Sequence, residues 1–143
     1  MPSDLTLKAM NAVHRVVLKL SGGRIGWTAA NMPVLELTTT GRKSGRARSV
    51  MLTSPVQDES TLVVVASRGG DDTPPAWFLN LQDEPAVSVR LQGQPAQRMR
   101  ARVATATERR LLWPRVTAKY GTYAEYQART TREIALVLLE PKA

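Results

Sequence analysis

The chain has 143 residues, with 20 Lys and Arg against 12 Asp and Glu, one His and no Cys. This length suits one domain that hides roughly two-thirds of its unfolded surface; the missing cysteines exclude disulfides, thiolate nucleophiles, iron–sulfur clusters and zinc fingers, and a lone His14 excludes a multi-histidine metal site. A net charge of +8 implies an anionic partner: nucleic acid, a membrane surface or a phosphorylated small molecule.

Residues 5–20 (LTLKAMNAVHRVVLKL) space Leu5, Met10, Val13, Val17 and Leu20 at near-helical intervals, with Lys8, Arg15 and Lys19 among them. Such a basic amphipathic helix either packs on its own domain, which is the expectation, or lies on an anionic membrane surface. No stretch is long and apolar enough for a membrane span, and no signal core opens the chain, so a cytoplasmic protein is expected. Contact with the inner face of the plasma membrane is the variant that the helix would allow.

Residues 33–39 (PVLELTT) and 46–54 (RARSVMLTS) predict two strands of a hairpin with a basic tip. Residues 61–66 (TLVVVA) predict a buried strand after a turn at Asp58-Glu59-Ser60. A Gly-, Asp- and Pro-rich loop over 67–75 leads into a short helix over 76–82, started by the prolines. Residues 86–91 predict the next strand. In 96–103 (AQRMRARV), Arg98, Arg100 and Arg102 alternate with Met99, Ala101 and Val103, the pattern of a half-buried strand with an arginine ladder outside. Thr105 and Glu108 have capping-box spacing at the start of a helix over 106–119, within which Pro114 predicts a kink or restart. A second short helix over 122–131 and a buried strand over 134–139 close the chain. Short connections make the sheet largely antiparallel. The expected fold is mainly β with peripheral helices (α+β), a small closed or split barrel.

Four clusters could carry chemistry. In TTTGRKSGRAR (38–48), Gly41 and Gly45 permit tight turning, and Arg42, Lys43, Arg46 and Arg48 with flanking hydroxyls have the composition of a phosphate cradle, without being a Walker A loop. A solvated hairpin tip is the plain alternative. Ala66-Ser67-Arg68-Gly69-Gly70 runs a strand end into a glycine turn, either a cleft edge or an ordinary loop. Trp77 in PAWFLNL either covers a flat ligand or belongs to the core. Tyr120, Tyr123 and Tyr126 are all the tyrosines in the chain; on one helix they would share a side and wall a pocket, or else pack on the core. No Ser-His-Asp or paired-carboxylate machinery stands out, so an enzyme here would borrow its reactive group from a cofactor.

With these blocks in view, the chain resembles the deazaflavin-dependent nitroreductase family of actinobacteria, split-barrel oxidoreductases that use coenzyme F-420. The likeness spans about residues 33–141 and rests on PVLELTTTGRKSGRARS, VVASRGG, PAWFLNL followed by Pro85, and WPRVTAKYGTYAEY. It implies a split β-barrel of the flavin-reductase, FMN-binding kind, with residues 1–24 an N-terminal helix and 25–143 a single deazaflavin-binding domain. It implies that Arg42, Lys43 and Arg48 hold the coenzyme's phosphate and acidic tail, and that backbone and hydroxyls from Thr38 to Ser44, Thr40, Gly41 and Ser44 among them, complete that site. It places Thr53, Ala66, Ser67, Arg68, Gly69, Ala76 and Trp77 around the ring, and Tyr120, Tyr123 and Tyr126 with Ser67 on the catalytic, substrate side. Thr53 stands where the best-known member has an aromatic residue and Ala76 where it has Met, so a looser pocket is expected. The implied reaction is hydride transfer from the reduced coenzyme to an electron-poor small molecule: a quinone, nitroaromatic or conjugated carbonyl. FMN is the second cofactor, and a monomer or homodimer is expected. A non-catalytic deazaflavin carrier and a basic nucleic-acid-binding barrel are the competing readings; nucleic acid is not the expected partner, since the tyrosines fall on a helix and not on strands.

Overall fold

The protein was analysed as a computed structural model that describes residues 28–29 and 32–142. The expected helix over 5–20, with His14, lies outside them. The elements are β1 (Thr28–Ala29), β2 (Met32–Thr40), β3 (Ala47–Thr53), β4 (Val56–Asp58), β5 (Thr61–Val65), a single 3-10 turn (Arg68–Gly70), α1 (Ala76–Asp83), β6 (Ala86–Arg90), β7 (Gln97–Val103), α2 (Ala106–Lys119), α3 (Thr122–Ala128) and β8 (Leu136–Pro141). Every strand pair is antiparallel. The sheet runs β3-β2-β6-β7-β8-β5-β4, with β1 also on β2. It curls without closing, as a split barrel does. At the opening, β3 leads into β4 through Ser54, whose buried hydroxyl donates to Val63 O at 2.7 Å and Val56 O at 3.0 Å.

Two apolar layers explain the strand patterns. Inside the curl, Leu35, Leu37, Val87, Val89, Met99, Ala101, Val137 and Leu139 pack with Trp77 and Leu81 of α1. On the other face of β5 and β8, Val63, Val65, Leu136 and Leu138 pack on Leu112 and Val116 of α2 and Tyr123 of α3. Strands β5 and β8 are thus buried on both faces, which is why TLVVV and LVLL read as unbroken apolar runs.

Helix α2 runs through Pro114 as one element, without the restart that was the alternative to a kink. Arg110, whose carbonyl the proline ring leaves without its helical donor, and Pro114 are both exposed, where that loss costs least. The ladder of arginines also splits. Arg98 and Arg100 are exposed, but Arg102 donates to Glu108 at 2.6 and 2.8 Å and to Glu140 at 2.7 Å. Its side chain stays 40% exposed and lies outside the cleft lining, and it pins β7 to β8 and to the start of α2. The guanidinium holds the Glu108 carboxyl down to about 2. The Thr105–Glu108 capping box forms as expected, at 3.2 and 2.9 Å. Strands β1 and β4, of two and three residues, were not expected.

Candidate functional site

One cleft of about 850 Å³ takes lining residues from all four clusters. Its basic end is the β2–β3 turn. That turn closes on itself: Gly41 N donates to Arg46 O and Gly45 N to Gly41 O, both at 2.8 Å. Gly45 takes a φ of +71°, which calls for glycine, whereas a Cβ on Gly41 would meet Ser44 Oγ at 2.7 Å, a contact that rotation of the serine relieves, and Arg46 O at 3.3 Å. Arg42, Lys43, Ser44 and Arg48 project from this turn into the cleft lining.

Asn80 of α1 aims the turn. It is 5% exposed. Its Oδ1 accepts from Arg42 N at 3.2 Å and from Arg42 Nη1 at 3.0 Å, while its Nδ2 donates to Thr39 Oγ1 at 3.3 Å. The pleat puts Thr39 on the cleft side and turns Thr40 away; Thr40 is not among the lining residues. Of the threonines in the Thr38–Ser44 segment, Thr39 and not Thr40 lines the cleft. Asn80 lay within the quoted PAWFLNL block, but nothing in its spacing marked it as a partner of a turn 38 residues earlier.

The opposite end is apolar and aromatic. Val50, Leu52 and Val65 lie among its lining residues, with Ala76, Trp77 and Leu79 of α1. Trp77 lines the cleft and, at 8% exposed, also belongs to the inner core. Ser67, Arg68 and Gly69 form a third wall with Thr73, Pro74 and Pro75. Arg68, Gly69 and Gly70 all have positive φ, 46°, 65° and 83°. Gly70 backs onto α3 so closely that a Cβ there would meet Tyr126 O at 2.6 Å. Ala66 does not line the cleft; it is fully buried in the core one residue before the wall begins.

Helix α3 supplies the fourth wall with Tyr123 and Tyr126, edge to face at 6.0 Å. The Tyr123 hydroxyl shares a 3.0 Å hydrogen bond with Thr53 Oγ1 and lies 3.7 Å from Met32 Sδ. Burial pushes its pKa above the usual phenol value. Tyr120 is not on this helix. It caps the C-terminus of α2, packs on the outer core beneath Lys119, and is not among the lining residues. The break at Tyr120-Gly121 defeats the i, i+3, i+6 reading.

A split antiparallel barrel bearing such a cleft, cationic at one end and flat-walled at the other, is the framework of a flavin- or deazaflavin-type oxidoreductase. The F-420H(2)-dependent quinone reductase family model matches residues 10–141, and the chain belongs to that family. A putative F-420H(2)-dependent quinone reductase of Mycobacterium tuberculosis is 33% identical over 111 residues, covering 78% of this chain and 92% of that one. Among solved structures, an F-420H(2)-dependent reductase named FDR-A is 37% identical with a TM-score of 0.67, covering 76% of this chain and 94% of its own. A structure described as a domain-swapped dimer is 32% identical with a TM-score of 0.69, covering 92% and 99%. The chain is thus an oxidoreductase whose cofactor is coenzyme F-420. The donor set fits that group: guanidinium and ammonium donors suit phosphate and carboxylate oxygens, and the far end offers flat apolar walls for a ring.

Proposed function

We propose that this oxidoreductase reduces quinones, and that the two ends of its cleft divide the work. Arg42, Lys43, Ser44 and Arg48 hold the phosphate and acidic tail of the coenzyme. Ser67, Arg68, Gly69, Ala76 and Trp77 flank its ring. When bound, reduced F-420 supplies the hydride. Thr53, Tyr123 and Tyr126 face the acceptor. A phenol is protonated at neutral pH even without a shift, and burial moves Tyr123 further in that direction, so it donates a hydrogen bond to an acceptor oxygen and holds a proton beside it. The apolar lining excludes water, and rate comes mainly from orientation.

The observation that carries this reading is the convergence of Lys43 and Arg48 with the Thr53–Tyr123 hydroxyl pair on one cleft. Titration by the coenzyme's own fluorescence tests it, followed by oxidation of the reduced coenzyme with a panel of quinones and nitroaromatics. Micromolar or tighter binding and turnover with quinones are expected. Absence of any fluorescence change at high protein would sink the assignment of the cleft. The relative described as a domain-swapped dimer supports a homodimer, which light scattering tests. No described helix is long and apolar enough to cross a membrane. Pelleting with anionic vesicles tests the surface contact that residues 5–20 would allow.

A further inference from the structure

We infer that Arg132 is a positioning residue that holds the Ser67, Arg68 and Gly69 wall in register with the tyrosine wall. The inference rests on the cleft reading above. Arg132 does not line the cleft. It reaches the wall from behind: Nε donates to Asp71 O at 2.8 Å, Nη1 to Ala66 O at 3.2 Å and Nη2 to Ser67 O at 2.9 Å. These three carbonyls bracket the loop at both ends, so a single planar fork sets the span between them. An ammonium group is a single point and cannot match that spread.

The loop needs such an external hold. Its three consecutive left-handed residues include Arg68 at φ 46°, a conformation that costs a side-chain-bearing residue free energy. Within the loop, Gly70 N–Ser67 O at 2.9 Å and Asp71 N–Arg68 O at 3.2 Å are the backbone bonds. Arg68 also pairs with Asp71 at 2.6 Å.

Arg132 is itself fastened to α3. Its carbonyl accepts from Gln127 Nε2 at 2.7 Å, and its N–H donates to Thr130 Oγ1 at 3.3 Å. Gln127 directly follows Tyr126. Two further bonds cross the same seam: Thr130 Oγ1 donates to Asp72 at 2.8 Å, and Arg129 Nη1 donates to Gly69 O at 3.4 Å. The ring wall and the acceptor wall are therefore one mechanical unit, and the guanidinium is its central tie. Displacement of the loop moves Ser67, Arg68 and Gly69 relative to Tyr123 and Tyr126, and with them the two reactants.

Hydrogen exchange on the whole chain tests this with Arg132→Lys and Arg132→Gln, alongside coenzyme titration. Both variants are expected to speed amide exchange at 67–73 by about tenfold or more, with exchange at 41–48 unchanged. Coenzyme affinity is expected to fall about tenfold, and Tm to drop by several degrees as three bonds from a charged donor are lost. If Arg132→Gln fails to fold, Arg132→Lys, which keeps the charge and the stem, carries the test. Unchanged exchange at 67–73, a uniform rise across the domain, or unaltered affinity would overturn the inference. Failure of the wild type to bind F-420 would strike the cleft assignment instead, and the exchange comparison would stand apart from it.

Discussion

Asn80→Ala tests whether the basic turn is aimed from below. The carboxamide makes three hydrogen bonds, two to Arg42 and one to Thr39. Their net worth is about 0.5–1.5 kcal/mol each. Arg42 is exposed and its guanidinium regains water, whereas the Thr39 hydroxyl is 2% exposed and loses a donor that water cannot replace. A loss of about 2–3 kcal/mol is therefore expected, which at this chain length lowers Tm by roughly 5–10 °C. The released arginine must then be ordered by the ligand, at about 0.5–1.5 kcal/mol for a side chain with this rotamer freedom. Coenzyme affinity is expected to fall by roughly two- to tenfold. Thermal melts and fluorescence titration read the two effects separately. Asn80→Asp keeps an acceptor for Arg42 but adds negative charge beside the turn, so it is expected to recover stability while still weakening the coenzyme. A lowered Tm with unchanged coenzyme affinity in Asn80→Ala would refute the reasoning, because Arg42 would then need no aiming.

Four further outcomes are expected. Lys43→Ala weakens coenzyme binding several-fold while stability stays within about 0.5 kcal/mol, because the side chain is exposed; unchanged affinity in the fluorescence titration removes Lys43 from the site. Tyr123→Phe lowers turnover more than coenzyme affinity, since it deletes the hydroxyl bonded to Thr53; steady-state kinetics and titration that gave the reverse would put the residue on the wrong side of the ring. Gly70→Ala destabilises by about 1–3 kcal/mol in denaturant unfolding, because its φ is +83° and the new Cβ meets backbone of α3. Glu108 has a folded pKa near 2, below its ordinary 4.5. Its contribution to stability is therefore complete above about pH 4.5 and fades as the pH falls toward 2; Arg102→Ala should flatten that part of the acid-unfolding curve.

The sequence was legible where a pattern repeats within one element. The alternation in β7 gave its inward Met99 and Ala101, and the double-sided burial of β5 and β8 was visible as unbroken apolar runs. The capping box of α2 was readable because its two partners lie three residues apart. What escaped depends on contacts between distant segments or on a single step of register. Thr39 and Thr40 are chemically identical, and only the pleat decides which one faces Asn80. Tyr120 keeps the right spacing but lies across a helix boundary. Strands β1 and β4 are too short to show a period and exist because β2 and β5 offer edges. Arg102 looked like its neighbours at 98 and 100 until Glu108 and Glu140 were brought beside it. Asn80 and Arg132 carried no local signal, since their partners lie 38 to 66 residues away.

The acidic middle of the chain bears on the kinetics of encounter. Residues 57–84 hold six Asp and Glu against one Arg, yet three of these carboxylates already have partners away from the basic turn. Asp58 meets Arg115, Asp71 meets Arg68, and Asp72 accepts from Thr130. Among the described residues no carboxylate pairs with Lys43, Arg46 or Arg48 at 4.0 Å or less. Their field therefore extends into solvent over about one Debye length, roughly 8 Å at physiological ionic strength. An incoming polyanion is steered toward the mouth of the cleft by a field that added salt collapses, while its departure depends on contacts that salt barely reaches. Association of the coenzyme should slow steeply with ionic strength and dissociation should change little.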